Sequence, residues 1–437
     1  MKTNFKTLTI GLLIATSLLT SCDGSRDKKT TDSVDSNKAR QQGEDQVQTE
    51  LQVKASQPAN ELADAAEQLV GPYTFMLAAR VADLALDKDP TNLKALFYKK
   101  FLARAEAFRG IQVRVKPLLK PEQIANWERT QEQFPDSPIK SFLYDTSRPA
   151  LNNAVDVQAV VSEYVKAVRE FRIFLKANMN SEMIINLNPH VFEEKIRKEA
   201  IRDCQVVETG TDMNVICNSK AAAQVRLNSA DFIALTQMTS GEMLYFGLLN
   251  SYSLEGIEGL AQFDPKNQKT TEERTNYLLK NSNFGKLRKD HIFSSLKEIG
   301  SDTSAALKWV TQYQTQLCPN GFNGSDDRRK GYLFSKGFCI GNATKTERAL
   351  TMLDQALAGV IQIDAIDNTN QNTKLNVDLF AWSKAPIQDV RSITATGYAS
   401  CGKPTGIKDN TLGGIFVDGN VNSYIISVRL NNSWVIC

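Results

Sequence analysis

The chain has 437 residues, of which 42% are hydrophobic and 8% aromatic, and this composition excludes intrinsic disorder along its whole length. Its 52 basic and 49 acidic residues give a net charge of +3, which argues against a protein whose main work is binding DNA or RNA. Only two histidines occur, His190 and His291, so a site with several histidine ligands is nearly excluded. We expect neither a metal nor a cofactor.

The N-terminus carries a short apolar segment that ends at a cysteine. Two lysines precede an apolar run from Leu8 to Leu19, which is too short to span a bilayer, and Leu19-Thr20-Ser21-Cys22 follows. This ending resembles the lipobox of bacterial lipoproteins, in which cleavage occurs before the cysteine and the cysteine is acylated. The resemblance implies a signal peptide over residues 1–21 and a lipid bilayer as the partner of acylated Cys22. The alternative is an ordinary secretory leader with an incidental cysteine.

Residues 22–58 are predicted to be a disordered tether behind that anchor. The segment is rich in Asp, Ser, Thr, Lys, Gln and Asn and buries too little apolar surface to order itself. The lipobox resemblance implies a cell envelope protein that faces the periplasm. Asp23 resembles the inner-membrane retention signal of enteric bacteria, a rule that outside that group does not decide between the inner and the outer membrane.

Residues 59–110 predict two helices joined by a tight turn. Apolar residues recur at helical spacing up to Leu69, Gly71-Pro72 interrupts them, and a second run ends at Asp87-Lys88-Asp89-Pro90. This pattern resembles one tetratricopeptide repeat, whose packing positions and closing proline are matched by Leu62, Ala65, Ala66, Leu69, Ala78, Ala82, Ala85 and Pro90. Lys99 and Lys100 fall where a second repeat needs small apolar residues. We therefore expect a helical-repeat-like segment and no regular array.

The most uneven charge distribution, here called the basic segment, lies at residues 94–120. Eight basic residues meet one acid, Glu106, for a net charge of +7. The basic residues are Lys94, Lys99, Lys100, Arg104, Arg109, Arg114, Lys116 and Lys120. One interpretation is a solvated face that acids from elsewhere in the fold neutralise. The other is a surface for an anionic partner, such as lipid headgroups, an acidic wall polymer or an acidic protein.

Six cysteines follow Cys22, an even set that suits an oxidising compartment. They are Cys204, Cys217, Cys318, Cys339, Cys401 and Cys437. Fifteen pairings are open, and sequence order suggests three local ones. Gly210-Thr211 suits a two-residue type II′ turn in a hairpin over residues 201–218, which places Cys204 opposite Cys217. A disulfide between Cys318 and Cys339 would constrain a loop that is either an ordinary surface loop or a contact for a partner. A disulfide between Cys401 and Cys437 would hold the C-terminus in place.

The remaining apolar patterns predict further helices. Residues 157–175 show one apolar stripe typical of an amphipathic helix on a bundle surface. Residues 230–250 are apolar in nearly every direction, which predicts a central buried helix. Residues 284–299, 303–317 and 344–363 predict three more amphipathic helices, and short Val, Ile, Phe and Tyr runs with Gly and Asn predict a cap over residues 376–437.

The sequence therefore predicts a mainly α fold. A helical bundle or irregular helical-repeat domain covers residues 59–375, with an inserted disulfide-linked β-hairpin, and a small β or irregular cap follows. No complete catalytic motif was found, and His190 and His291 are interpreted as solvated or capping residues.

We expect a non-enzymatic, membrane-anchored scaffold for a protein or envelope partner. The alternative is a solute-binding lipoprotein with a small-molecule ligand between its helices, because some tetratricopeptide-like lipoproteins accompany solute transporters. An enzyme with unrecognised catalytic residues is a third hypothesis.

Overall fold

The computed structural model describes most of the chain from the first strand onward. The described residues are 47–70, 74–119, 121–133, 138–187, 204–219, 223–262, 269–317, 343–366, 372–393, 397–398, 404–418, 428–430 and 433–435. Cys22, Lys120, His190, Cys318, Cys339, Cys401 and Cys437 lie outside these ranges, so the predictions made for them remain predictions.

The described fold is mainly helical, as the sequence predicts, with small antiparallel sheets. The helices are α1 (Ala59–Gln68), α2 (Phe75–Lys88), α3 (Leu93–Glu106), α4 (Ile111–Arg114), α5 (Pro121–Gln133), α6 (Pro138–Leu143), α7 (Ala154–Ala177), α8 (Ser229–Leu249), α9 (Lys269–Lys280), α10 (Leu296–Leu317), α11 (Ala343–Ala358) and α12 (Ala381–Lys384).

The described strands are short, and all of their pairings are antiparallel. They are β1 (Val47–Val53), β2 (Met183–Leu187), β3 (Cys204–Thr209), β4 (Asp212–Ser219), β5 (Ala223–Leu227), β6 (Ile361–Ile366), β7 (Asn372–Val377), β8 (Gly397–Tyr398), β9 (Pro404–Thr405), β10 (Val428–Leu430) and β11 (Ser433–Val435). One sheet has the order β1-β4-β3, and the other sheets are the two-stranded pairs β2-β5, β6-β7, β8-β9 and β10-β11.

The chain divides into two compact units. Of the described residues, the first unit contains those from Val47 to Leu151 and from Lys166 to Thr236. The second unit contains those from Asn152 to Val165, from Gln237 to Leu317 and from Ala343 to Val435. The boundaries fall inside α7 and α8, so each of these two helices contributes residues to both units.

Helices α1, α2 and α3 pack on one another in the first unit. The positions that resemble tetratricopeptide packing positions are all buried, with at most 3% of each side chain exposed: Leu62, Ala65, Ala66, Leu69, Ala78, Ala82 and Ala85. Small side chains let the helices approach closely and pack densely. The α2 helix ends at Lys88, next to the predicted stop, and Asn92 caps α3 by accepting a hydrogen bond from the Ala95 amide at 3.0 Å.

The tether predicted over residues 22–58 is wrong in its last part, because Val47–Val53 forms strand β1. This strand pairs along its whole length with β4, and Val53 is fully buried. In Val-Gln-Thr-Glu-Leu-Gln-Val, the residues Val, Thr, Leu and Val alternate with Gln, Glu and Gln, which is the period of a strand. The prediction of disorder used the polar average composition of the whole segment, which does not show this alternation.

The register predicted for the hairpin is confirmed. Cys204 lies opposite Cys217, and Thr209 lies opposite Asp212 on either side of the turn. Gly210 has the left-handed φ of 65° that the first central residue of a type II′ turn requires. The cysteine side chains lie outside the described part of the structure, so the disulfide itself remains a prediction.

Helix α8 was predicted to be buried along its whole length, and this prediction is wrong for its second half. Its first half is buried from Ala230 to Leu235, whereas Tyr245, Leu248 and Leu249 in its second half are 62%, 43% and 56% exposed. On the inner side, a Cβ atom added to Gly247 would lie 2.8 Å from Cβ of Ile292. Glycine is therefore needed there to let the segment before α10 approach the helix.

The helix predicted over residues 284–299 is wrong in its first part. The Ser253 amide donates to the Lys286 carbonyl at 2.8 Å and the Arg288 amide to the Ser251 carbonyl at 2.9 Å, so this stretch runs extended beside the end of α8. Gly285, at φ 77°, gives the chain its turn into that path. A 3-10 turn at residues 293–295 then leads into α10.

The helix predicted over residues 344–363 ends early, and the predicted cap boundary cuts a hairpin. Helix α11 ends at Ala358, and the β-branched residues that follow Gly359 favour strand β6. Strand β6 pairs with β7, so the cap boundary predicted at residue 376 falls inside β7. Within the cap, Trp382 donates from Nε1 to the Leu412 carbonyl at 2.7 Å and packs edge-on against Phe293 at 5.3 Å between ring centroids. These contacts join the described cap residues to the core of the second unit.

The hairpin register generates a testable prediction about the disulfide. Peptide mapping without reduction should find Cys204 joined to Cys217, because opposite positions in an antiparallel pair bring Cα atoms within the range that a disulfide spans. Reduction should destabilise the hairpin by about 3 kcal/mol in the chain-entropy model. One residue inserted between Gly210 and Thr211 should shift the register and reduce formation of the bond. A bond from Cys204 to Cys318 or Cys339 would contradict the prediction.

Candidate functional site

Four lysines and arginines of the basic segment are paired with carboxylates that the fold brings to them. Their ion pairs are Lys99–Asp83 at 2.6 Å, Lys100–Glu170 at 3.5 Å, Arg109–Glu106 at 2.6 Å and Lys116–Glu128 at 2.8 Å. Arg109 also contacts Asp145 at 3.1 Å. Apart from Glu106, which the count of +7 already includes, these acids lie outside residues 94–120, so the local charge count could not register them.

Arg104 and Arg114 are buried and are not part of a basic surface. Arg104, only 4% exposed, lies over the rings of Phe101 and Phe171 at 4.6 and 5.0 Å from their centroids. Arg114, 7% exposed, donates from Nε to the Pro149 carbonyl at 3.0 Å. These two side chains stabilise the interior of the first unit, which the sequence pattern did not indicate.

Lys94 completes the described part of the basic segment, and it leads to a buried carboxylate. Its Nζ contacts Asp64 at 2.6 Å and Glu67 at 2.9 Å. Burial lowers the pKa of Lys94, but the hydrogen bonds to Asp64 and Glu67 outweigh burial, and the net pKa is raised. The pairings favour the interpretation in which acids from elsewhere in the fold neutralise the segment.

Glu67 lies at the centre of the network that joins the helical stack to strand β2. The residue is 3% exposed and its two carboxylate oxygens accept four hydrogen bonds. Oε1 accepts from the Tyr98 hydroxyl at 2.9 Å and the Asn186 amide at 2.6 Å. Oε2 accepts from Lys94 Nζ and from Asn186 Nδ2, both at 2.9 Å. A buried charge with this many donors is compensated.

Burial and the same carboxylate together keep the Tyr98 phenol protonated. Burial first, and then the negative charge and hydrogen bond of Glu67, raise the pKa of Tyr98 far above its usual value. The phenol therefore stays a donor to Glu67 at physiological pH. Nothing in the sequence pattern had singled out Glu67, because a lone acid on a helix is most often solvated.

A second polar cluster lies in the second unit around Ser162. Its hydroxyl accepts hydrogen bonds from Asn250 Nδ2 at 2.7 Å and Arg288 Nη2 at 3.0 Å, and it donates to Asp290. Arg288 also donates from Nε to Asp290 at 3.0 Å. Burial raises the pKa of Asp290, but the hydrogen bonds from Arg288 and Ser162 outweigh it and the net pKa is lowered. Asp290 is therefore ionised and holds its partners in place.

Next to this cluster, three buried polar atoms have no hydrogen-bond partner within the described structure. They are Oδ1 of Asn250, the hydroxyl of Tyr252 and Nδ1 of His291. Burial raises the pKa of Tyr252 to about 12. His291 lies against Phe293, 5.7 Å between ring centroids, and its Nδ1 is buried without a hydrogen-bond partner in the described structure, whereas the sequence predicts a solvated or capping histidine. Such atoms are the places where a water or polar ligand would be accepted.

No family model, curated protein or solved structure matches this chain. Among the described residues, no group of three or more His, Cys, Asp or Glu side chains could hold a metal ion. None of the described helices is both long enough and apolar enough to cross a membrane.

The Glu67 network generates a stability prediction. In Glu67→Gln, the new amide NH2 must replace either the oxygen facing Lys94 Nζ or the oxygen facing the Asn186 amide, and both of these groups can only donate. The free energy of unfolding should fall by about 2 to 4 kcal/mol in chemical denaturation. Asp64→Asn is the matched control, since Asp64 contacts the same lysine with its side chain 53% exposed and should cost about 0 to 1 kcal/mol. Equal losses in the two variants would contradict the role given to Glu67.

Proposed function

We propose that the chain is a lipid-anchored envelope protein whose helical body is a scaffold for a protein or envelope partner. The observation that carries the scaffold is the stack of α1, α2 and α3, which packs through buried alanines and is held together by Glu67. Stacked helical hairpins present extended outer surfaces, which is how helical-repeat proteins bind partners. The lipobox-like Leu19-Thr20-Ser21-Cys22 supports the anchor.

The balanced charges of the stack favour recognition by shape more than attraction by a basic field. Lys99 and Asp83 form a surface pair in which both side chains are about half exposed, so the outer face carries balanced charge. Balanced pairs of this kind are weak in water and can exchange partners at little cost. An anionic polymer therefore has less to bind than the local charge count of +7 suggests.

The anchor is tested by changing the cysteine. Cys22→Ser should move the protein from the membrane to the soluble fraction, or leave the leader uncleaved, because no thiol remains to be acylated. Ser21→Ala is the matched control, since it keeps a small residue before the cysteine and should leave both processing and fractionation unchanged. Membrane fractionation, gel migration and the mass of the N-terminal peptide read the result. A Cys22→Ser protein that fractionates and migrates like the original contradicts the anchor.

The scaffold is tested by placing a photo-reactive residue at position 99, on the surface of α3, and irradiating cell envelopes that contain this variant. We expect a discrete adduct with one envelope component, lost on competition with unlabelled protein. Position 364 is the control, because the Asp364 side chain is 87% exposed and belongs to the second unit, which does not contain the stack. Adducts of equal number and yield from both positions would contradict a specific surface on the stack.

A second candidate function, binding of a small polar solute, is favoured by one observation. Asn250, Tyr252 and His291 each bury a polar atom without a partner in the described structure, and each lone atom could accept or donate one hydrogen bond to a ligand. Native mass spectrometry of the purified protein should then find a retained small molecule. Tyr252→Phe should lower its retention without unfolding the protein, because that change removes only the hydroxyl. If the protein is incubated with cell extract and only the mass of the chain without a ligand is found at every extract concentration, this candidate is contradicted.

A further inference from the structure

The second half of α8 presents an uncharged apolar face to the outside. Tyr245, Leu248 and Leu249 are exposed on it, Met238 is half-buried, and Gly241 is exposed. The one charged residue between Gln237 and Leu249 is Glu242, which is buried and accepts a hydrogen bond from the Tyr164 hydroxyl at 2.9 Å. We call Met238, Gly241, Tyr245 and Leu248 the α8 stripe. All four residues belong to the second unit.

The spacing of the α8 stripe is that of a helix-pairing seam. Its members follow one another at intervals of three, four and three residues, which is the a and d pattern of a heptad. A helix that packs only against its own core has no need of such a seam on its outer side. The pattern therefore suits the packing of a second helix along this face.

The α8 stripe is complementary to itself when two copies run antiparallel. In that arrangement Met238 of one copy faces Leu248 of the other, and Gly241 faces Tyr245, because both pairs of numbers have the same sum. Nothing lies within 4 Å of a Cβ atom built on Gly241, so the space above it is open, and Tyr245 is 62% exposed. A ring from one copy thus fills the notch of the other. A parallel arrangement would set ring against ring and leave both notches empty.

The uncharged character of the stripe also selects the partner. Two identical faces repel each other wherever they carry charge, and this face carries none, so a second copy meets no like-charge penalty. Antiparallel helices also set their dipoles favourably. We propose that the α8 stripe is the interface of a two-fold symmetric dimer of this chain, formed by antiparallel packing of α8 on α8. This proposal does not depend on the lipid anchor or on the scaffold function.

The expected dimer is weak and reversible. Four residues of one helix bury on the order of a few hundred Å2 per copy, less than the roughly 800 Å2 per partner of a standard stable interface. We therefore expect a dissociation constant of about 1 to 100 µM, which corresponds to the low end of specific association. Proteins held on one membrane surface would reach such concentrations locally.

The association is measured by sedimentation equilibrium on residues 22–437 carrying Cys22→Ser, which keeps the chain free of lipid and detergent. Gly241→Leu should raise the dissociation constant at least about tenfold, because the new side chain occupies the notch. It should not unfold the monomer, since Gly241 lies inside a helix with open space above it, and glycine is a poor helix former. Tyr245→Glu should weaken the dimer as strongly. Met352→Glu, at a 48% exposed methionine on α11, is the control and should change nothing.

The register is tested by a photo-reactive phenylalanine analogue at position 245. Unlabelled and isotope-labelled chains are mixed, and mass spectrometry distinguishes cross-links between copies from cross-links within one copy. Cross-links between copies that reach residues 238–241 support the antiparallel register. Cross-links within one copy would show that another segment of the same chain covers the stripe and would overturn the proposal. A chain that stays monomeric at 100 µM (about the upper limit expected above), or a dimer that Gly241→Leu and Tyr245→Glu leave intact, would overturn it as well.

Discussion

The first unit depends on one buried carboxylate. Glu67 sits at the end of α1, and its four hydrogen bonds reach α3 through Lys94 and Tyr98 and reach strand β2 through Asn186. Burying a charge is costly unless every donor is supplied, so the position of α3 relative to α1 and β2 is set by the need to satisfy this group. The packed alanines bring the helices close but allow several relative positions along their smooth surfaces. The hydrogen bonds of the carboxylate stabilise one of these positions.

Arginine and lysine side chains in the same unit show how a local charge count can mislead about surface charge. Arg104 lies over the rings of Phe101 and Phe171 and Arg114 donates to main-chain carbonyls, and both are buried, so neither contributes to a surface field. Lys100 contacts Glu170, a residue 70 positions away in the sequence. A window of residues counts only its own acids. The folded neighbourhood adds acids from other helices, and these decide the field that a partner meets.

The parts of the fold that the sequence predicted are those set by local rules. The Gly210-Thr211 turn determines the register of its hairpin, because a two-residue loop leaves one way to pair the strands. Pro90 disfavours helical geometry at Asp89, which is extended, and α2 ends at Lys88. Residues 284–292 were predicted to be helical, but residues 286–288 are extended because their backbone is paired with residues 251–253. That pairing depends on a segment more than 30 residues away in the sequence, and no local pattern could contain it. Glu67 escaped prediction for the same reason, because its donors come from two other segments, α3 and β2.

Helix α8 shows that hydrophobicity alone does not give burial. Its apolar residues point in nearly every direction, which predicted a helix enclosed on all sides, and the first half is enclosed. In the second half, the inner face is fixed by Gly247 against Ile292, while the outer face keeps Tyr245, Leu248 and Leu249 in contact with water. Exposing these side chains costs free energy in an isolated copy, and the cost is recovered only when something apolar covers them. The excess of apolar residues that first suggested a central helix is explained if α8 is central to a pair of chains.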